Sequence, residues 1–270
     1  MSRIPAVAVA SSAAENANSR FALAQRARQS KLTWTGPLIL VVGRSVLIIA
    51  AQAVTACLLW LQFHHWSWDA AAKWWTVYGT LVDLGCLALM AAYTRNEGIR
   101  MRDLIGRVRL RWGHDLFLGA GCFLLIFPFF LFAAPGASWL FYGSIQPPSF
   151  AGTLTDRALP TWGMIYSFSL WWLIWSTTEE MTYQGYTLSR LEVLFGSRWK
   201  AVGIVAFWWA LQHSFLPLIL DWRYIAWRFF AFLPGVVAFT LIYLRLRRLP
   251  PLIVAHWSMD FSALFFTLRL

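Results

Sequence analysis

Two adjacent glutamates and two histidines stand out because they lie where apolar residues predominate. Glu179 and Glu180 directly follow an apolar run, and His213 and His256 lie in two later apolar runs. Ionisable side chains are costly in hydrocarbon surroundings, so each is a functional candidate by default. Carboxylates and imidazoles exchange protons, as acid–base hydrolysis requires. The four residues predict a shared acid–base site, and a glutamate pair at a helix end facing water is the alternative.

Helical spacing relates the two glutamates to aromatic and polar neighbours. Glu179 shares a helix face with Trp175 and Tyr183, and Glu180 shares one with Gln184. Successive residues of a helix point about 100° apart. We therefore expect only one of the two glutamates to face a given site.

Each histidine has one notable residue a helical turn away. Trp209 precedes His213 by four residues, and Asp260 follows His256 by four, so each pair lies on one helix face. We expect Asp260 to orient the His256 ring, as carboxylates do in catalytic triads. The spacing also allows Glu179, His213 and His256 to bind one divalent ion such as Zn²⁺, and a site without metal is equally open.

The composition indicates that membrane-spanning helices carry these residues. Of 270 residues, 59% are hydrophobic and 13% are charged, whereas soluble domains have about 25% charged residues. Apolar runs long enough to cross a bilayer recur along the chain. The net charge of +11 comes from short basic segments between these runs. No continuous basic face or binding signature accompanies them, so we expect no nucleic-acid partner.

The apolar runs predict an all-α fold, a polytopic transmembrane helical bundle with about seven spans, or eight. The predicted spans are 37–63, 71–93, 115–134, 161–188, 200–219, 225–246 and 250–268. They divide the chain into a disordered cytoplasmic tail (1–33), two spans with a basic cytoplasmic loop (34–112) and a helical core (113–270). Lys and Arg concentrate in the tail and in alternate connections, which predicts a cytoplasmic amino terminus.

This simple helix map leaves one conflict. It places Glu179 near the cytoplasmic end of the fourth span, His213 near the outer end of the fifth, and His256 in the outward passage of the seventh. A shared site therefore requires long or tilted helices, or boundaries a turn or two away from those predicted.

Three motifs on different spans resemble the CPBP family, the CAAX prenyl proteases and related ABI-type intramembrane proteases. The family motifs are EE-x-x-x-R, often followed by Gly, then F-x-x-x-H, then H-x-x-x-N. The matching segments here are Glu179 to Gly185, Trp209 to His213 and His256 to Asp260. The resemblance covers about residues 100–268 and rests on the order and spacing of the motifs. It includes the stretch 102–106, which is similar to one that often precedes the family core.

The resemblance implies an intramembrane endopeptidase core within residues 113–270. Glu179 would activate water with help from His213, while His256 and Asp260 would stabilise the oxyanion. The supporting residues would be Glu180, Gln184 and Trp209. Family members are described both as metalloproteases and as metal-independent glutamate proteases, so Zn²⁺ and no cofactor both stay open.

The resemblance also implies partners and a location. The substrate would be a membrane-associated protein or peptide, and the bilayer would be the solvent. We expect a multi-pass protein of the bacterial inner (plasma) membrane. The sequence leaves the oligomeric state open.

Two departures from the motifs favour other functions. Gln184 replaces the motif arginine, and Asp260 replaces an asparagine, although an ionised aspartate donates no hydrogen bond to an oxyanion. A catalytically degenerate relative acting as a membrane scaffold or immunity-type binding protein is therefore the second hypothesis. A proton- or ion-coupled transporter that uses the same buried carboxylates is the third.

Overall fold

The computed structural model describes residues 16–106, 112–148 and 159–267, and helices make up nearly all of its regular structure. This confirms the predicted all-α fold. The helices of the first part are α1 (Arg20–Arg28), α2 (Thr35–Phe63), α3 (Trp68–Ala72), α4 (Trp75–Asn96) and α5 (Trp112–Tyr142). A short 3-10 helix, Met101–Ile105, lies between α4 and α5.

The second part carries the three motifs. Its helices are α6 (Thr161–Tyr166), α7 (Trp172–Glu180), α8 (Ser189–Leu194), α9 (Arg198–His213), α10 (Trp222–Leu246) and α11 (Pro250–Thr267). Two π-helical segments, Ser167–Trp171 and Met181–Leu188, join α6, α7 and α8 into one continuous helix. We call residues 161–194 the motif helix. Because π-helical turns are rare and often occur at functional sites, the segment that follows Glu180 directly is notable.

Four helices in the described ranges are long and apolar enough to cross a membrane. They are α2, α4, Gly113–Tyr142 of α5, and α10. The predicted count of about seven spans is therefore not confirmed. Of the other three predicted spans, α9 has 16 residues, α11 has 18, and two π-helical segments interrupt the motif helix.

The outer surface of α5 is suited to lipid. Phe117, Leu124 and Phe132 are 82%, 71% and 74% exposed. Soluble monomers rarely expose large contiguous apolar surfaces, whereas a bilayer solvates them. Together with the four apolar helices, this surface indicates an integral membrane protein.

The motif helix lies at the centre of the bundle. It contacts α2, α4, α9 and α11, while α5 packs against α10 and α11 on one side. The predicted fifth span is too long, because α9 ends at His213 and residues 214–221 connect it to α10. Pro217 lies in this connection and has no backbone N–H to continue a helix.

Within the segment predicted to be a disordered tail, residues 20–28 form α1, and residues 1–15 lie outside the described ranges. The cause is a set of polar contacts that no local pattern reveals. Asn18 donates to the carbonyl oxygen of Leu104 at 2.9 Å, and Arg26 lies 3.4 Å from Glu97. These polar contacts, together with the fully buried Leu23, hold α1 against the rest of the bundle.

Helix α1 covers the end of the motif helix. Buried Arg190 donates from Nε and Nη2 to the two carboxylate oxygens of Glu97 at 2.8 and 2.7 Å, and from Nη1 to Asn18 at 3.1 Å. A bidentate guanidinium–carboxylate pair fixes geometry as well as charge. Arg190 thereby joins the amino-terminal segment, α4 and the motif helix.

Glu192 makes the attachment of α1 sensitive to pH. Burial alone would raise the pKa of Glu192, but Arg247 and Arg20, at 2.6 and 2.7 Å, and also Arg198 hold this pKa below its ordinary value of 4.5. A depressed pKa contributes stability that is complete above the ordinary value and is lost as pH falls through the lower one. We expect acid to loosen α1.

Hydrogen exchange tests this expectation. Between pH 7 and pH 3.5, the protection factors of residues 20–28 should fall about fivefold, as ~1 kcal/mol implies. Glu192→Gln should show the lower protection already at pH 7 and little further change with acid. Equal pH dependence in the wild type and Glu192→Gln would contradict the assignment.

Candidate active site

The lengths of two helices bring Glu179 and His213 to the same depth. Arg198, where α9 begins, lies 3.6 Å from Glu192 near the end of the motif helix. The start of α9 and the end of the motif helix therefore lie at a common depth in the bundle. Glu179 lies 15 residues before the last residue of α8 (194 − 179), and His213 lies 15 after the first residue of α9 (213 − 198). At about 1.5 Å per residue, both lie about 22 Å from that level.

The start of α11 brings His256 to this depth as well. A Cβ atom on Gly185 would lie only 3.0 Å from Leu249 Cδ1, so the chain entering α11 packs directly on the motif helix at Gly185. Seven residues separate Leu249 from His256 (256 − 249), and six separate Glu179 from Gly185 (185 − 179). The depth conflict of the simple helix map is thus resolved by a connection that lies well inside the bundle.

Glu179 is fully buried and lies between the two histidines. Its Oε1 accepts a hydrogen bond from Trp209 Nε1 at 2.7 Å and lies 3.8 Å from His213 Nε2. Its Oε2 lies 3.5 Å from His256 Nε2. The structure therefore brings together three of the predicted catalytic residues, with the carboxylate held by an indole.

The backbone of α9 determines the orientation of the His213 ring. His213 Nδ1 lies 2.8 Å from the carbonyl oxygen of Trp209, one turn earlier. A carbonyl oxygen only accepts, so Nδ1 carries the proton, and Nε2 of the neutral ring keeps its lone pair. Because Nε2 faces Glu179, it can accept a proton from a water molecule that contacts both groups.

His256 lies between the two motif glutamates. Its Nδ1 lies 3.0 Å from Glu180 Oε1, while its Nε2 faces Glu179. The expectation that only one glutamate faces a given site is therefore wrong, since the two carboxylates contact opposite edges of the same ring. The expectation that Asp260 orients His256 is also wrong, because Glu180 makes the hydrogen bond and Asp260 Oδ2 lies 3.8 Å from Nε2.

Asp260 instead contacts the motif helix through Ser176. The Ser176 hydroxyl lies 2.6 Å from Asp260 Oδ2 and 2.7 Å from the carbonyl oxygen of Trp172. A hydroxyl has one hydrogen, so both bonds form together only if Asp260 carries a proton. The geometry thus favours a neutral Asp260 that acts as a hydrogen-bond donor.

Gln184 lies away from the carboxylates. Its Nε2 donates to the Thr240 hydroxyl on α10 at 3.1 Å, and the residue is fully buried. Its role is contact between helices rather than a charge partner of Glu180.

A cavity of about 270 Å³ opens beside these residues. His213, His256 and Asp260 line it, with aromatic walls that include Phe127 and Phe232. An apolar cavity with a few convergent polar groups is the usual form of a binding site. It can admit an apolar peptide segment next to the histidines.

A buried ion pair lies behind the site. Arg44 on α2 and Asp83 on α4 are 3.0 Å apart, and the Arg44 guanidinium lies 4.1 Å from the centre of the Trp175 ring. Trp175 is one turn before Glu179 on the motif helix. Arg44 and Asp83 are conspicuous in the sequence because each lies in an apolar run, but their pairing depends on helix packing. Sequence reasoning missed Ser176, because serine at a helical position carries no signal of its own.

The predicted metal ligands converge without forming a metal site. The described part of the chain contains no group of three His, Cys, Asp or Glu side chains placed to hold a metal ion. His213 and His256 approach different oxygens of Glu179, and Oε1 is already engaged by Trp209. The reaction proposed below is therefore derived from the side chains of the chain alone.

Comparison with known proteins gives one line of evidence about the family. Residues 160–262 match the family described as type II CAAX prenyl endopeptidase Rce1-like. No curated protein and no solved structure matches the chain significantly. The matched segment includes all three motifs and ends before α11 does. Over these residues the match confirms the CPBP/CAAX protease family that the order and spacing of the motifs predict.

Proposed function

We propose that this membrane protein is an intramembrane endopeptidase that hydrolyses a peptide bond of a membrane-associated protein or peptide. The family supports a protease of the CAAX type. The observation that carries the proposal is the buried Glu179 carboxylate with the Nε2 atoms of His213 and His256 on its two oxygens. Buried acids and imidazoles are costly in a membrane, and those that occur there typically serve a function.

The proposed reaction begins with water beside Glu179 and His213. These two groups take a proton from the water, and the hydroxide adds to the carbonyl carbon of the substrate. His256 lies between the carboxylates of Glu179 and Glu180, which stabilise its protonated form. This cation stabilises the oxyanion. Protonated Asp260 adds a second hydrogen bond when its hydrogen turns from Ser176 to the oxyanion, and Ser176 keeps its bond to the carbonyl oxygen of Trp172. The proton held by Glu179 and His213 then passes to the leaving nitrogen as the C–N bond breaks.

The direct test is cleavage by the purified wild-type protein in proteoliposomes. Apolar reporter peptides would be incubated with and without a chelator, and the products identified by mass spectrometry. Cleavage that the chelator leaves unchanged is the expected result. Cleavage that stops on chelation and returns with zinc would contradict the metal-free mechanism, and no cleavage of any peptide would contradict the proposed activity.

Asp260→Asn distinguishes a donor at residue 260 from a carboxylate. An asparagine amide also donates hydrogen bonds, so we expect Asp260→Asn to keep turnover within about threefold of wild type. Asp260→Ala removes the donor and should lower kcat by about 10²-fold. Both values come from initial rates with one reporter peptide. Equal losses in the two variants would mean that an ionised carboxylate is needed.

The second candidate is a degenerate family member that binds membrane proteins without cleaving them. Gln184 and Asp260, the two departures from the motifs, favour it. It predicts an inert wild type in which Gln184→Arg combined with Asp260→Asn restores cleavage. An active wild type would exclude it.

We further propose a bacterial inner-membrane location with the amino terminus in the cytoplasm. The basic residues of α1 lie beside those at the ends of α8 and α10, and such basic clusters are typical of the cytoplasmic side. Labelling of single cysteines by an impermeant reagent in intact cells tests this orientation.

A further inference from the structure

We infer that Arg228 is the residue that binds a carboxylate of the substrate in the cavity, and thereby determines specificity. The inference rests on the proposed function, since it names a chemical feature of the peptide bound at the same site. The carboxylate can come from an acidic side chain or from the carboxyl terminus of the peptide.

Arg228 brings a permanent positive charge to an apolar cavity. Arg228 lines the cavity from α10, and His213 lines it from the end of α9. Most of the remaining lining is aromatic or aliphatic. Within the described residues, no Asp or Glu lies within ion-pair distance of Arg228. Asp260, which lines the same cavity, is bonded to Ser176 instead. Arg228 is half-buried, so a carboxylate that arrives with the ligand would meet a cation that water screens only in part.

The guanidinium is held in place before any ligand binds. Nε donates to the carbonyl oxygen of His213 and Nη2 to that of Leu216, both at 3.0 Å. Its Cζ lies 4.6 Å from the centre of the Phe232 ring, and the same ring stacks on the imidazole of His213 at 3.9 Å. Arginine presents five donors in a rigid fork, so these two bonds leave others for a ligand. A preorganised cation binds a carboxylate without the cost of ordering its own side chain.

The position of Arg228 places the carboxylate near the reacting bond. Arg228 bonds the backbone of His213, whose ring faces Glu179. A carboxylate on Arg228 would therefore lie close to the residues that activate water. We infer that the preferred peptide is apolar and carries its carboxylate within a few residues of the scissile bond.

Four peptides of one apolar sequence separate the two sources of the carboxylate. One pair has a free or amidated carboxyl terminus, and the other, amidated throughout, has Glu or Gln near the scissile bond. For the wild type, kcat/KM should be about tenfold or more higher for the charged member of at least one pair. The pair that shows the difference identifies the source.

Variants of Arg228 test whether this residue causes the preference. Arg228→Gln should reduce the ratio to about one, and Arg228→Lys should retain part of it. Arg223→Gln, an exposed arginine on the same helix, is the matched control and should keep the wild-type ratio. A ratio within one variant does not depend on the fraction of folded protein. No preference in the wild type, or an unchanged preference in Arg228→Gln, would overturn the inference.

Binding to the Glu179→Gln variant separates this inference from the proposed function. In that background no cleavage is expected, and the Kd values of the same peptides are measured by calorimetry in detergent. A preference for the charged peptide that Arg228→Gln removes would support the inference even if the wild type cleaves nothing. Equal Kd values for charged and neutral peptides would overturn it even if the wild type is an active protease.

Discussion

Glu179→Gln is expected to lower kcat by about 10³-fold or more, because the amide cannot take a proton from water. The change should leave the fold intact, since the amide oxygen of glutamine can still accept the hydrogen bond from Trp209 Nε1. Initial rates with a reporter peptide, and thermal unfolding of the same preparation, measure both consequences. Turnover within threefold of the wild type would exclude Glu179 as the base.

Variants of the neighbouring residues make this result specific to Glu179. Glu180→Gln still bonds His256 through its amide oxygen and should cost about tenfold, because it weakens only the orientation of that ring. His213→Gln should cost nearly as much as Glu179→Gln. Residues that act as one unit give non-additive losses, so the double variant should be hardly slower than either single one. Fully additive losses would mean that Glu179 and His213 act in separate steps.

Arg44→Met is expected to destabilise the protein by about 3–5 kcal/mol, because it leaves the Asp83 charge buried without a partner. Arg44 and Asp83 are 0% and 1% exposed, so water cannot compensate. The loss also removes the guanidinium from the face of Trp175. Denaturant titration in detergent micelles, followed by circular dichroism, measures the change in the free energy of unfolding.

The double variant Arg44→Met/Asp83→Asn tests the cause of this destabilisation. Replacing a buried ion pair by neutral groups is often nearly neutral, so the double variant should recover much of the stability lost in Arg44→Met. Arg223→Met, at an exposed position, should change stability by about 0.5 kcal/mol or less. A double variant as unstable as Arg44→Met would mean that packing of the guanidinium on Trp175, not charge, is responsible.

The sequence alone predicted the class of protein, the family resemblance and most of the candidate site. Hydrophobic periodicity and composition are local properties. The predicted spans therefore begin within a few residues of the long helices from α2 onward. Glu179, His213 and His256 were identifiable because an ionisable residue in an apolar run is conspicuous without any structure. The order of the motifs predicted the family resemblance, and the match over residues 160–262 confirms it for that segment. The catalytic roles of Glu179, His213 and His256 stay predictions until the variants are measured.

Tertiary structure alone decided which partners these residues have. Glu180 rather than Asp260 orients His256, and Ser176 rather than His256 bonds Asp260. Sequence spacing relates residues within one helix, but these bonds join different helices, and their geometry depends on packing angles and on the depth of each connection. Polar contacts between segments distant in sequence likewise attach α1, which is too short to be predicted as a span. The extents of α9 and of the motif helix, with its π-helical turns, likewise followed only from the structure.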